Sequence, residues 1–400
     1  MDRWRTLLAP DVRAFIESHD GADLSALALK KAPDPEWDYK LILDQIKARG
    51  KAKVKVPRWL GVPGLVFPSA DLMEQASSWT CALYKASLAG GGTVADLTAG
   101  AGVDAAAFGG QGQRVLCVEQ DSHNASLLEH NLRRLKEAGL LSADFEVHNA
   151  DCADFVTAMP SCAWVYVDPQ RRSGPQKGRF LFSDCSPDVT ALLPFLKGRA
   201  RRVMVKSSPV LDIARGIEEV GGVESVHVVQ WNGECKEVLY IHNPQGGVED
   251  PPVHAVEINN EGHVSCSFSF TMGDEREAEA ETGPVEAYLY EPGPAFMKAG
   301  GFNLMAARFG LRKLHPNTHL YTSQVFIKDF PGKVFTVEDV RRPGGGASDI
   351  GGAELVLRNY PGSVADLRAR LKLAEGSDKR IFACTAHDDR KMLVVCSKAF

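Results

Sequence analysis

Residues 93–110, TVADLTAGAGVDAAAFGG, set a short apolar run and an acid against paired glycines and an alanine-rich stretch. Val94, Ala95 and Leu97 read as a buried strand and Asp104–Phe108 as a helix, so the glycines fall on a strand-to-helix turn. Such turns bind small molecules. Gly100 and Gly102 permit positive φ and let a ligand approach the backbone, while the helix start presents unpaired N–H groups. With Ala105 the stretch satisfies G-x-G-x-x-A, so the glycines alone also suit a nicotinamide dinucleotide. Asp96 discriminates, because a carboxylate just before the glycines repels a pyrophosphate but accepts from an ammonium group.

Outward from this turn, strand patterns recur at Val115–Glu119, Phe145–His148, Trp164–Asp168 and Val203–Lys206, separated by helix-length stretches. Repeated β-α units predict a parallel sheet. After Gly221 come Val226–Val229, Trp231-Asn232-Gly233 and Lys236–Ile241, and Asn-Gly between apolar strands predicts a type I′ hairpin. Five parallel strands closed by an antiparallel hairpin suit a Rossmann-like class I methyltransferase sheet better than a six-stranded dinucleotide fold. Residues 1–90 carry helical spacing at Pro10–His19, Glu36–Lys47 and Asp71–Ala89, which predicts an N-terminal helical cap. A catalytic domain is expected over 91–245, ending in the linker His242–Pro252. Beyond it, strands are expected at Val253–Ile258, Val264–Thr271, Ala287–Tyr290, Val325–Asp329, Val334–Val340, Glu354–Arg358, Arg380–Thr385 and Lys391–Ser397. A helix from about Val364, with Ser363 as its N-cap, makes this C-terminal part α+β.

With 400 residues and 44% hydrophobic composition, the chain is long enough for two or three domains with a large core. No apolar run approaches a membrane span, and the charged, amphipathic N-terminus lacks a signal-peptide core, so a soluble, cytoplasmic protein is expected. The formal net charge of −5 argues against a wholesale polyanion binder. Local charge is uneven. Lys47, Arg49, Lys51, Lys53, Lys55 and Arg58 form a basic run that suits either a solvated or a phosphate-contacting face. Asp274, Glu275, Glu277, Glu279 and Glu281 read as a solvated linker. The nine cysteines are scattered without a C-x-x-C pair, and His148, His254 and His315 lack ligand spacing, so neither disulfides nor a metal are expected.

Acids stand at the carboxyl ends of the parallel strands, where an open α/β sheet binds its ligand. Asp96 follows the first. Glu119 ends the second, placed to accept from both ribose hydroxyls, and Asp151 follows the third, placed to accept from an adenine amino group. Asp168 ends the fourth, beside the open edge where a substrate enters. Any one of these acids could be a solvated strand end or a helix cap. Together they suit S-adenosylmethionine, whose ammonium group matches Asp96. A nicotinamide enzyme would account for Glu119 and the glycines, but not for Asp96 or the VDPQRR turn.

The stretches DLTAGAG, VEQD, NADC and DPQRR resemble motifs of class I S-adenosylmethionine-dependent methyltransferases, particularly their RNA-modifying branch. EQASSWTCALYKA, VDPQRR, VKSSP, GECKE, YLYEPGPAFMKAG and RNYPGSVADLRARLKL are similar to the bacterial methyltransferase family with C-terminal ferredoxin-like and THUMP-like domains, over nearly the whole chain. The resemblance implies a ferredoxin-like segment at 246–325 and a THUMP-like domain at 326–400, which here follows the catalytic domain. It assigns Asp96, Gly100 and Gly102 to the methionine part of the cofactor, Glu119 to its ribose and Asp151 to its adenine. Gln75 is then placed to bond the methionine carboxylate or the substrate, although an exposed helix residue fits equally.

In similar amine-methylating enzymes the fourth strand ends in an Asn/Asp-Pro-Pro-aromatic turn. Asp168 and Pro169 match it, whereas Gln170 and Arg171 replace the second proline and the aromatic. Asp168 could accept from a proton-bearing nitrogen, and Arg171 and Arg172 could grip a phosphate, stack on a base or pair with nearby acids. Lys206, Ser207 and Ser208 are expected to contact substrate. No cysteine stands at the fourth or fifth strand end, which argues against a covalent pyrimidine-C5 mechanism. The expectation is in-line methylation of a base in structured RNA (tRNA or rRNA), with Arg358, Arg368, Arg370 and the basic run on phosphates. A protein or small-molecule acceptor is one alternative. A catalytically silent RNA-binding protein is another, against which the intact Asp96, Glu119 and Asp151 speak. Nothing in the sequence indicates the oligomeric state.

Overall fold

Short polar caps start most helices of the first ninety residues, which hold no strand among those described. Proline opens α1 (Pro10–Ser18). Asp23, Asp38, Ser69 and Ser78 accept from first-turn N–H groups of α2 (Leu24–Ala28), α3 (Tyr39–Lys55), α4 (Ala70–Gln75) and α5 (Trp79–Ala89). Each such cap stabilises its helix by about 1 kcal/mol. Trp4, Leu7, Ile16, Ile42, Ile46 and Leu127 form the core beneath them.

The computed structural model describes residues 2–110, 114–171, 181–344, 348–376 and 378–399. Two compact units emerge. The first comprises residues 1–226, 236–249 and 258–264, and the second 227–235, 250–257 and 265–400. No described helix is long and apolar enough to cross a membrane.

In the first unit β1 (Val94–Asp96), α6 (Val103–Gly109), β2 (Arg114–Glu119), α7 (Ser122–Glu137), β3 (Asp144–Asn149), α8 (Cys152–Ala158) and β4 (Cys162–Val167) alternate as expected. A ribbon of β5 (Gln170–Arg171) and β6 (Cys185–Ser186) follows, then α9 (Val189–Leu196), β7 (Ala200–Ser207), α10 (Ile213–Val220), β8 (Val223–Trp231) and β9 (Glu234–His242). The β1–β2, β2–β3, β1–β4 and β4–β7 pairs are parallel, and β9 runs antiparallel to β7. The sheet order is β8-β9-β7-β4-β1-β2-β3, taking the parts of β8 and β9 that lie in this unit. Placing the last strand antiparallel inside the sixth is the class I methyltransferase arrangement. The chain leaves β1 toward β2 on one side and returns as β4 on the other, so the carboxyl ends of β1 and β4 flank the topological switch point.

Asn232 and Gly233 take φ of 52° and 74°, the left-handed pair that a type I′ hairpin requires. They lie in the second unit, which continues with β10 (Val253–Ile258), β11 (Val264–Phe270), α11 (Met272–Glu277), β12 (Tyr288–Pro292), α12 (Pro294–Ala299) and α13 (Phe302–Phe309). It closes with β13 (Arg312–Lys313), β14 (Tyr321–Ser323), β15 (Gly332–Arg341), β16 (Glu354–Arg358), α14 (Val364–Leu371), β17 (Lys379–Thr385) and β18 (Lys391–Lys398). These strands form a sheet of order β13-β14-β12-β15-β18-β17-β16, with β16 and β17 parallel. Leu289, Leu320, Phe335, Phe382 and Val394 pack in its core.

Two expectations fail here. Val325–Asp329 is irregular, because the Tyr290 hydroxyl donates to the Val325 carbonyl and accepts from the Ile327 N–H in place of a strand partner. The acidic run is not simply a solvated linker. Residues 272–277 form α11, started by a Thr271–Asp274 capping box, and the Glu275 carboxylate accepts from the Asn303 and Leu304 N–H groups at the start of α13.

Candidate functional site

A cavity of about 820 Å³ opens at the switch point, lined among others by Gln75, Gly100, Glu119, Asp151, Asp168, Gln170 and Arg171. Its size falls within the roughly 300–1,000 Å³ of small-molecule sites. Local geometry builds each wall. Gly102 has φ 78°, and a Cβ there would stand 2.3 Å from the Leu128 Cδ1, so both conformation and packing demand glycine. Glu119 turns back over the glycine turn, its carboxylate accepting from the Gly100 N–H at 3.1 Å and the Asp121 N–H at 2.9 Å. Burial raises its pKa, and these backbone donors oppose the rise. The Asn149 amide donates to the Glu119 and Gln120 carbonyls, fixing the loop after β2 to the end of β3. Asp151 caps α8, with Oδ1 accepting from the Ala153 N–H at 2.7 Å.

Thr98 joins the loops on either side of the switch. Its N–H donates to Asp96 Oδ1 at 3.0 Å, and its hydroxyl accepts from the Asp168 N–H at 2.8 Å. Lys206 Nζ donates to Asp168 Oδ2 at 2.5 Å. Burial disfavours the Lys206 charge, but Asp168 outweighs it and leaves the pKa raised. The result is a held ion pair at the end of β4.

Beneath the cavity lies a charged network. Lys85 on α5 is 0% exposed, and its ammonium stands 3.1 Å from Asp104 Oδ1, 2.8 Å from Glu237 Oε2 and 2.9 Å from the Ser77 hydroxyl. Burial works against its charge, yet Asp104 and Glu237 prevail and raise its pKa. Asp104 Oδ2 also accepts from the Ser77 hydroxyl at 2.8 Å and the Tyr166 hydroxyl at 3.0 Å. Ser77 follows Gln75 by two residues and Tyr166 precedes Asp168 by two, so the network anchors two cavity-lining segments to α6.

The placement departs from the sequence reading at several residues. Asp96 is only 1% exposed and does not line the cavity; burial and the nearby Asp104 push its pKa well up, and its Oδ2 is buried without a hydrogen-bond partner. Gly102 shapes the turn rather than the cavity wall, and Pro169 is buried behind Asp168 and Gln170. Lys206 is engaged by Asp168, and strand alternation turns the neighbouring Ser207 into the core. The Ser208 hydroxyl accepts from the Val210 N–H in the loop after β7. Arg172 lies outside the described residues.

The expected phosphate contacts are also largely engaged. Arg358 pairs with Glu291, Arg368 donates to the Ala353 and Ala374 carbonyls, and Arg370 donates to the Tyr360 hydroxyl. Arg49 and Lys53 face Asp20. Sequence reasoning missed Thr98, Ser77, Lys85, Asp104, Tyr166 and Glu237. Lys85 in WTCALYKASLA did carry a signal, since a cation on an apolar helix face requires a buried acid. Its partner Glu237 is 152 residues away, beyond any spacing rule. Among the described residues no group of three or more His, Cys, Asp or Glu side chains could hold a metal ion.

Comparison with known proteins agrees with this architecture. A ferredoxin-like domain profile matches residues 288–331, and a THUMP domain-like profile matches residues 345–398. A Mycobacterium tuberculosis protein, described in two strains as an uncharacterized S-adenosylmethionine-dependent methyltransferase, is 26% identical over 347 residues, spanning 84% of this chain and 89% of the relative. The crystal structure of a Porphyromonas gingivalis W83 protein with a provisional methyltransferase assignment superimposes with a TM-score of 0.84 at 28% identity, covering 99% of both chains. Sheet order, cavity position and these relatives define the class: the chain is a class I methyltransferase that uses S-adenosylmethionine. Within that class it is a form bearing ferredoxin-like and THUMP-like domains at its C-terminus.

Proposed function

We propose that this methyltransferase modifies a base of structured RNA, either tRNA or rRNA, by direct in-line transfer to a nitrogen presented at Asp168. The THUMP domain-like match at residues 345–398 carries the RNA part of this reading. The acceptor part rests on the Asp168–Lys206 pair at the mouth of β4.

The residues present suit the cofactor. Glu119, already oriented by two backbone N–H groups, would accept from the ribose hydroxyls, and Asp151 from the adenine amino group. Gln75, at the end of α4, would bond the methionine carboxylate, and the buried Asp96 would hold the glycine turn through Thr98. S-adenosylmethionine, when bound, supplies the methyl group as an electrophile. Lys206 fixes Asp168 through Oδ2, so that the carboxylate can accept the N–H of the attacking nitrogen and align its lone pair. Gln170 and Arg171 on the β5–β6 ribbon would contact the acceptor nucleotide, and Leu192 and Phe195 keep an apolar wall that limits water. Nucleoside analysis of RNA from cells with and without the gene tests this reading. One methylated base should vanish with the gene; an unchanged RNA inventory, with a protein or small molecule losing its methyl group instead, would overturn it.

A further inference from the structure

A second cavity, of about 480 Å³, is lined by Glu74 of α4, the helix whose Asp71, Leu72 and Gln75 line the cofactor cavity. Leu24, Ile46 and Val54 give it an apolar floor, and Lys47, Lys51 and Lys55 line it along one face of α3 at four-residue spacing. Val54 is 69% exposed and adds apolar surface at the edge of this floor. The lysines are positioned but not neutralised in depth. Lys47 meets Asp71 at 3.8 Å and Lys51 meets Glu74, both pairs exposed enough to be worth little in water. Lys55 donates to the Glu74 and Ala76 carbonyls, bracketing Gln75, which lines the cofactor cavity. Burial lowers the Lys55 pKa, the Glu74 carboxylate opposes this, and repulsion from Lys206 and Lys51 adds to the lowering. The groove therefore shares α4 with the cofactor cavity, whose lining includes Asp168.

We propose that this groove is the subsite for the nucleotide next to the methylated one, its base on the Leu24–Ile46–Val54 floor and its phosphate on Lys51 and Lys55. A flat apolar ring joined to an anion matches a hydrophobic floor beside a cationic rim, and a bare phosphate would have no use for the floor. The formal net charge of the chain is −5, so a local cluster of this kind is where a polyanion gains contact. The inference rests on the RNA reading and narrows it to a strand that runs from Asp168 past the end of α4.

End-labelled total cellular RNA, titrated with the full chain over a range of salt concentrations, tests it with the variants Lys51→Gln, Lys51→Arg and Val54→Glu. These positions are at the surface, and unchanged S-adenosylmethionine affinity monitors the fold. Each lost phosphate contact on a single strand lowers the slope of log affinity against log salt by about 0.7. That decrease is expected for Lys51→Gln and not for Lys51→Arg, with a roughly tenfold loss of affinity for Val54→Glu by analogy with lost base contacts. If the wild type binds and methylates RNA while both Lys51→Gln and Val54→Glu match it in slope and affinity, the subsite is refuted and the RNA reading stands. If the wild type neither binds nor methylates RNA, the RNA reading fails and the subsite falls with it.

Discussion

Glu119 and Asp168 stand on opposite sides of one switch point, and their surroundings differ. Glu119 is half-buried and held by the Gly100 and Asp121 N–H groups, a preorganised acceptor facing the cavity. Replacing it with Ala is expected to weaken S-adenosylmethionine binding by about 1–3 kcal/mol, the range for hydrogen bonds to a charged group. Calorimetric titration measures this, and unchanged affinity would remove Glu119 from the ribose. Asp168 is tied to Thr98 and Lys206 instead. Asp168→Asn should reduce methyl transfer by at least a hundredfold, the lower end for a positioned proton acceptor, with cofactor affinity retained. A parallel loss of both would place Asp168 among the cofactor contacts.

Among the elements, α5, α6, β4 and β9 meet at one buried cluster, with Lys85, Asp104, Tyr166 and Glu237 contributed in turn. Breaking a buried ion pair from one side leaves an uncompensated charge and costs about 3–5 kcal/mol. Lys85→Met is therefore expected to destabilise the first unit by that order in urea unfolding. Adding Glu237→Gln should recover part of the loss, because the two sites couple. Full additivity of the two changes would show that they do not act as a network. The same elements mark how far sequence could be read. The strands around the glycine turn and the Asn232-Gly233 hairpin follow from alternation and turn chemistry, which are local. Val325–Asp329 carried a strand pattern but is held by the distant Tyr290 hydroxyl. Of the site, the cavity-lining Glu119, Asp151 and Asp168 were accessible as strand-end acids. Thr98 was not, since its role depends on two loops meeting, and the burial of Asp96 was not, because burial depth has no local signature.

At the scale of the molecule, the second unit carries a pH-sensitive contact. In the second unit, His319 stacks on Phe302 at 3.6 Å between ring centres, and burial, then the charges of Lys313 and Arg358, lower its pKa to about 4 from an ordinary 6.5. The folded ring thus stays neutral where the unfolded ring takes up a proton. Its contribution to stability is complete above pH 6.5 and is lost as pH falls toward 4. Wild type should therefore lose stability relative to His319→Phe between pH 7 and pH 5, which paired denaturant titrations can resolve. A pH-independent difference would mean that the ring is not held neutral.

The measurement that bears most directly on the central claim is transfer of a radiolabelled methyl group from S-adenosylmethionine into total cellular RNA by the purified chain, followed by separate nuclease and protease digestion. Label that nuclease releases and protease does not is the result expected of an RNA methyltransferase working through Asp168, and the Asp168→Asn variant should leave the RNA unlabelled. Label that only protease releases, or none in RNA while the cofactor still binds, would contradict it.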